Sequence, residues 1–236
     1  TRIGLDHEVA RSTERFQSVS APLDAGCVDV QKRNVGMSNL GKHRHHLPQC
    51  DGKLFLTDGG IETTLIFHDG LDLPYFAAFH LLRDEAGTAA LRKYFLTYAA
   101  LAKEFRSGLI LESATWRASA DWGRKLGYTD AELAAANTKA IRMLEDIRKD
   151  CEAAGVATVI SGCVGPRGDG YIPSDMMSAD EAQEYHSDQI GTFAGTAADM
   201  VGALTMNYPE EAIGISKAAG AGEMPVAISF TVETDG

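Results

Sequence analysis

An acid at the mouth of a glycine turn is the first place in this chain where residue types and spacing can do chemistry. Residues 56–65 read LTDGGIETTL: an apolar run stops at Asp58, Gly59 and Gly60 follow, then an acid and two threonines. Glycine turns after strands often bring backbone N–H groups to an anion, but the Asp58 carboxylate repels one. The turn suits a ligand carrying an amino group or a hydroxyl. Further polar residues close other apolar runs: Glu112, Ser113 and Trp116 after one, Cys163 to Gly168 after the next, then Thr205 to Asn207 and Thr231 to Asp235. Polar groups and a tryptophan collected at one end of a sheet favour a small-molecule pocket.

Each of these residues also has a plain structural explanation. Asp58 can close an Asx-turn, Glu112 and Ser113 can be ordinary loop residues, and Trp116 can plug a core. Cys163 reads as a small packing residue rather than a nucleophile, because no histidine lies near it in sequence. Gly162, Gly165 and Gly168 do not have dinucleotide-fingerprint spacing, and Pro166 falls where a helix would have to open. Those glycines are expected to turn the backbone tightly over the pocket. No GxxxxGK[ST], HExxH or GxSxG motif occurs. Spacing alone gives a pocket and no reaction.

The elements that must hold these residues alternate. Residues 53–57, 108–113, 157–162, 199–206 and 225–232 are short apolar runs, read as buried strands of a parallel sheet. Between them, Leu91, Phe95, Tyr98, Ala102 and Phe105 recur at helical spacing. Thr129 with Glu132 and Ser178 with Glu181 are capping-box pairs ahead of two long helices, and Gly155 suits the end of the first. Pro209 followed by Glu210 and Glu211 fits the first turn of another. The alternation predicts an α/β fold with right-handed crossovers; a doubly wound sheet and a (β/α)8 barrel both satisfy it, and both gather chemistry at the carboxyl ends of the strands.

The 236 residues carry 33 acids against 22 lysines and arginines, a formal charge of −11. That balance opposes general binding to nucleic acid or to an anionic membrane surface, and no apolar stretch approaches the roughly 20 residues of a membrane span. Four cysteines without a CxxC predict reduced thiols and a cytoplasmic setting. Residues 1–50 have few large apolar side chains and are expected to form a poorly ordered tail ahead of a domain at 51–236. Within that tail, His43, His45, His46 and Cys50 have ligand chemistry but nothing around them to fix its geometry. The chain begins at Thr1 with its first methionine at Met37, so an upstream extension or a fragment is expected.

DGGIETTL, LESATWRAS (111–119), SGCVGPRGDGY (161–171) and EEAIGI (210–215) come in an order that resembles homocysteine S-methyltransferases, from about residue 53 onward. The resemblance implies an α/β (β/α)8 TIM-type barrel, here incomplete with about five of eight strands. It implies transfer of a methyl group from a small donor to a homocysteine-like thiol activated by zinc. Asp58 then receives the ammonium of homocysteine beside Gly59 and Gly60, with Glu112, Ser113, Trp116 and Thr205 as further substrate-binding positions. Leu204 or Thr205 stands where many relatives carry a glutamate, which opens the substrate preference to another thiol or amino acid. The zinc cysteines of the family lie on later strands, so no metal ligand and no catalytic residue is assigned in this chain. A non-catalytic small-molecule-binding module, or an inactive fragment without the metal half of the site, is the alternative. An unrelated barrel lyase or aldolase is disfavoured, because no lysine falls at a strand end.

Overall fold

A computed structural model describes residues 40–173 and 176–232. Five strands, β1 (Phe55–Leu56), β2 (Gly108–Glu112), β3 (Thr158–Val164), β4 (Met200–Met206) and β5 (Val226–Phe230), form one sheet in sequence order. Every neighbouring pair is parallel, with Leu111 opposite Ile160, Cys163 opposite Gly202 and Val201 opposite Val226. Helices separate them: α1 (Ile61–Phe67), α2 (Glu85–Phe105), α3 (Ala120–Lys125), α4 (Asp130–Ala153), α5 (Ala179–Ala194) and α6 (Pro209–Ala221). Parallel strands in sequence order, each joined through helix, are the strand–helix repeat of the incomplete (β/α)8 barrel type.

The helices start where their sequences dictate. Thr129 and Ser178 each accept from the backbone N–H three residues on, and Glu132 and Glu181 reach back to complete both capping boxes. Asp84 caps α2 by accepting from Gly87, and Pro209 opens α6 with Glu210 and Glu211 in its first turn. Those acids face the positive end of the helix dipole. The core lies between sheet and helices, where Leu109, Leu111 and Ile160 meet Phe95, Leu144, Ile147 and Phe193, all fully buried.

Two expectations about strands need correction. The run at 53–57 yields only the two half-buried residues of β1, with Leu54 72% exposed. The run at 225–232 yields β5, which is largely exposed, with Phe230 at 48% and Val232 at 70%. Both are the outer strands of the sheet, so each packs against a neighbour on one side only.

The expected tail needs correction where it falls among the described residues, 40–50; residues 1–39 of it lie outside them. Arg44 is 7% exposed and donates to the carbonyls of Ala194 (2.9 Å), Thr196 (3.1 Å) and Ala198 (2.8 Å). The backbone N–H of His43 donates to Asp199 at 2.7 Å. An arginine fork satisfying the carbonyls at and after the end of a helix is a C-cap supplied from elsewhere in the chain. Low apolar content hid this segment, because its anchoring is polar.

Candidate functional site

Asp58 stands at the carboxyl end of β1, half-buried, with its Oδ2 accepting a hydrogen bond from the Tyr94 hydroxyl at 2.9 Å. That hydroxyl also lies 3.0 Å from the Gly59 carbonyl. Burial pushes the Asp58 carboxyl up to about 6, and the Tyr94 hydrogen bond pulls the other way. A Cβ at Gly59 would lie 2.8 Å from the Tyr98 hydroxyl, so the room left by its missing side chain is taken by the protein itself. Gly60 is the residue preceding α1.

Glu112 is the last residue of β2, paired in register with Ser161 of β3. Both side chains lie over Gly202 of β4: a Cβ at that glycine would come within 2.6 and 2.8 Å of the two Glu112 carboxylate oxygens and 2.8 Å of Ser161 Oγ. Burial, opposed by the Ser161 hydroxyl and reinforced by the charge of Asp58, pushes Glu112 up to about 7. Glu62, in the first turn of α1, is pushed up to about 7 by burial and by Asp58, with Arg117 acting against the shift. Cys163, 4% exposed, feels all three acids. After burial, the charges of Glu112, Glu62 and Asp58 hold its thiol well above the ordinary range. It is protonated and therefore a poor nucleophile or metal ligand.

Ser113 closes a ring of hydrogen bonds. Its Oγ accepts from the Cys163 N–H at 2.9 Å and lies 2.6 Å from Thr115 Oγ1, which donates to the Cys163 carbonyl at 2.7 Å. Because Thr115 has given its proton to that carbonyl, the Ser113 proton goes to Thr115. Ser113 thus braces β2 to β3 and keeps no donor for a ligand.

Trp116 and Thr205 come together. The indole N–H donates to Thr205 Oγ1 at 3.0 Å, and the Thr205 hydroxyl donates to the Leu204 carbonyl at 2.6 Å. Thr205 has φ 60°, and the β4–β5 register shifts between Ala203 and Met206. A left-handed β-branched residue in a strand irregularity is costly and is held only by its surroundings. Behind Trp116 lies Arg117, 6% exposed, its guanidinium carbon 3.9 Å from the ring centroids of both Trp116 and Trp122. It donates to the Gly168 carbonyl at 2.7 Å, fixing the loop after β3. Burial lowers it to about 10, while Asp169 and Glu62 act to hold its charge.

The structure therefore places Asp58 and Glu112 at the ends of β1 and β2, where the charge of Asp58 acts on Glu112, joins Trp116 to Thr205, and ties the Ser113 hydroxyl into internal hydrogen bonds. Glu62, Tyr94 and Arg117 escaped the sequence reading. Glu62 and Arg117 lie inside the two stretches that drew attention, as charges within apolar surroundings. Tyr94 adjoins Phe95 in the helical pattern of α2, where nothing marks one phenol as facing the strand ends. Among the described residues, no three His, Cys, Asp or Glu side chains are arranged to hold a metal ion. They do not form a zinc site.

A parallel α/β sheet of barrel type thus carries carboxylates, a tryptophan and an arginine at its strand ends, where barrels of this type gather their chemistry. The chain belongs to the homocysteine S-methyltransferase family, whose sequence model matches residues 55–236. No curated protein matches it. Among solved structures it is similar to the homocysteine methyltransferase MmuM from Escherichia coli. The metallated form gives a TM-score of 0.62 at 19% identity, covering 79% of this chain and 66% of that one. The oxidized form gives 0.62 at 18%, covering 79% and 65%, and the apo form 0.54 at 17%, covering 80% and 63%. The chain thus spans just under two thirds of the length of those structures.

Proposed function

We propose that this chain supplies the amino-acid half of a site for homocysteine or a closely similar thiol, in an enzyme that transfers a methyl group to that sulfur from a small donor. The observation that carries the reading is the Asp58 carboxylate, held by Tyr94 at the carboxyl end of β1 in a chain of this family. A half-buried carboxylate positioned by a phenol offers a charge-assisted hydrogen bond to an ammonium group. Methyl transfer needs the acceptor sulfur as thiolate. The described residues do not favour that form: burial first, then the charges of Glu112, Glu62 and Asp58, keep the Cys163 thiol protonated. Their part is to bind and orient the amino end. The sequence and the charge of −11 support small-molecule partners rather than nucleic acid, and among the described residues no helix is long and apolar enough to cross a membrane.

Asp58→Ala tests the reading. Loss of one charge-assisted hydrogen bond is worth about 1.5–3 kcal/mol, roughly a ten- to hundred-fold loss in homocysteine affinity by isothermal titration. The melting temperature should stay near that of the unaltered chain. Intact affinity with a lowered melting temperature would mean that Asp58 serves the turn alone.

A further inference from the structure

A crevice of about 280 Å³ lies between α4 and α5. One stripe of α4, from Asp130 through Ala134 to Asn137, lines it together with one stripe of α5, from Tyr185 through Gln189 to Thr192. Deep in it are two buried amides, Asn137 at 2% exposure and Gln189 at 5%. Asn137 Nδ2 donates to the carbonyls of Ala118 (2.9 Å) and Leu133 (3.0 Å). Gln189 Nε2 donates to the Thr115 carbonyl (3.0 Å) and to Asn137 Oδ1 (3.1 Å). With their N–H groups all spent on oxygens, the orientation of both amides is fixed. What is left over is an acceptor: Gln189 Oε1 is shielded from solvent without a hydrogen-bond partner, a costly state for a buried oxygen. The rest of the crevice adds acceptors of the same kind. Asp130 and Asp188 bring exposed carboxylates to it, and neither is in an ion pair among the described residues. The Thr192 hydroxyl has given its proton to the Asp188 carbonyl at 2.8 Å, so it too presents lone pairs.

We propose that this crevice is a binding site for a small organic cation with N–H donors, an alkylguanidinium or alkylammonium group that donates to Gln189 Oε1 and carries its charge between Asp130 and Asp188. Acceptors without donors disfavour an anion, and two carboxylates favour a charged donor over a neutral one. The volume takes such a group on a short alkyl stem. The site is separate from the one proposed above, since none of Asp58, Glu62 and Glu112 lines it. The two meet only through Thr115, whose carbonyl takes the Gln189 N–H while its hydroxyl donates to the Cys163 carbonyl.

Isothermal titration of the full chain with n-butylguanidinium tests the site, with n-butylurea as the neutral isostere. The expected result is saturable binding of the guanidinium and a much weaker response to the urea. A double variant, Asp130→Asn with Asp188→Asn, alters exposed residues only and should keep its fold by circular dichroism. It should bind the guanidinium roughly three- to thirty-fold more weakly. Ala134→Leu, which fills the crevice and keeps both charges, should remove binding; if that variant does not fold, the double variant decides. Asp58→Ala should bind as the wild type does, which separates this site from the strand ends. The site is ruled out if the wild type binds no guanidinium at millimolar concentration, or if the urea binds as tightly. Equal affinity in the wild type and the double variant rules it out too, as does full affinity in a folded Ala134→Leu. Binding lost in Asp58→Ala and kept in the double variant would move the cation to the strand ends and equally overturn the proposal.

Discussion

Asp58, Glu62 and Glu112 sit where a carboxylate is expensive, and their protonation should be visible in both binding and stability. Asp58 rises from 3.8 to about 6, and the two glutamates from 4.5 to about 7, with burial as the first cause in each. Only the ionised form attracts an ammonium, so homocysteine affinity should drop as pH falls through about 6. A binding isotherm that stays flat from pH 7.5 to 5 would remove Asp58 from the contact. For stability the sign is opposite. A carboxyl whose folded value is raised keeps its proton in the folded chain while the unfolded chain has released it, so the folded state is favoured below about 4.5. That advantage is lost as pH rises to about 7. Glu112→Gln should therefore gain on the wild type between pH 5 and 7.5, by on the order of 1–3 kcal/mol in urea denaturation. Asp58 was legible in the sequence because an acid before two glycines conflicts with an anion-binding turn. Glu62 and Tyr94 were not, since their roles depend on which way a short helix and a long one face the strand ends.

The strands and helices themselves were largely written in periodicity and caps, because each capping box or apolar run is a local matter. Thr129 and Ser178 cap the helices that their spacing predicted, and β2, β3 and β4 fall inside their predicted runs. What the sequence concealed is how the elements are tied at the rim. Arg117, between Trp116 and Trp122, joins the end of β2 to the loop after β3, while Trp116 joins it to Thr205 at the end of β4. The WRASADW stretch shows an arginine between two tryptophans, yet the stacking depends on the turn into α3. Arg117→Met keeps the stem and loses the fork, so the Gly168 carbonyl and both ring faces lose their cation. The expected cost is about 1–3 kcal/mol, with faster proteolytic cleavage in the loop after β3 and little change in cleavage elsewhere. Uniform cleavage kinetics would show that the loop is held by its other contacts, among them Glu211 accepting from the Arg167 N–H at 2.8 Å. Thr205→Gly probes the same rim from β4. Relief of the left-handed backbone should offset loss of the indole contact, leaving stability within about 1 kcal/mol.

At the scale of the molecule, the site end and the opposite end of the sheet are held by different physics. At the amino end of β4, Asp199 is fully buried and accepts from His43 N–H (2.7 Å), Ile160 N–H (2.8 Å) and the Arg148 guanidinium (2.9 Å). Beside it, Arg44 caps the carbonyls between α5 and β4. Residues 40–50 thus close that end by charge and hydrogen bonding, which is why a search for apolar periodicity passed over them. Arg44→Ala would leave three carbonyls without their donor and remove a second cation near the buried Asp199, whose ion-pair partner Arg148 remains. Unpaired buried acceptors cost about 1–3 kcal/mol each where water cannot replace the donor. Water reaches some of this rim, so a total of roughly 2–4 kcal/mol is expected, or a melting temperature about 5–15 °C lower in a chain of this size. Arg44→Lys should recover little, because one ammonium cannot reproduce a planar fork reaching three carbonyls. Homocysteine binding, measured below the lowered transition, should be unaffected if Asp58 anchors it, since Asp58 follows the carboxyl end of β1 and Arg44 packs beside the amino end of β4. A melting temperature within 2 °C of the wild type would mean that residues 40–50 are dispensable to the fold, as their composition alone suggests.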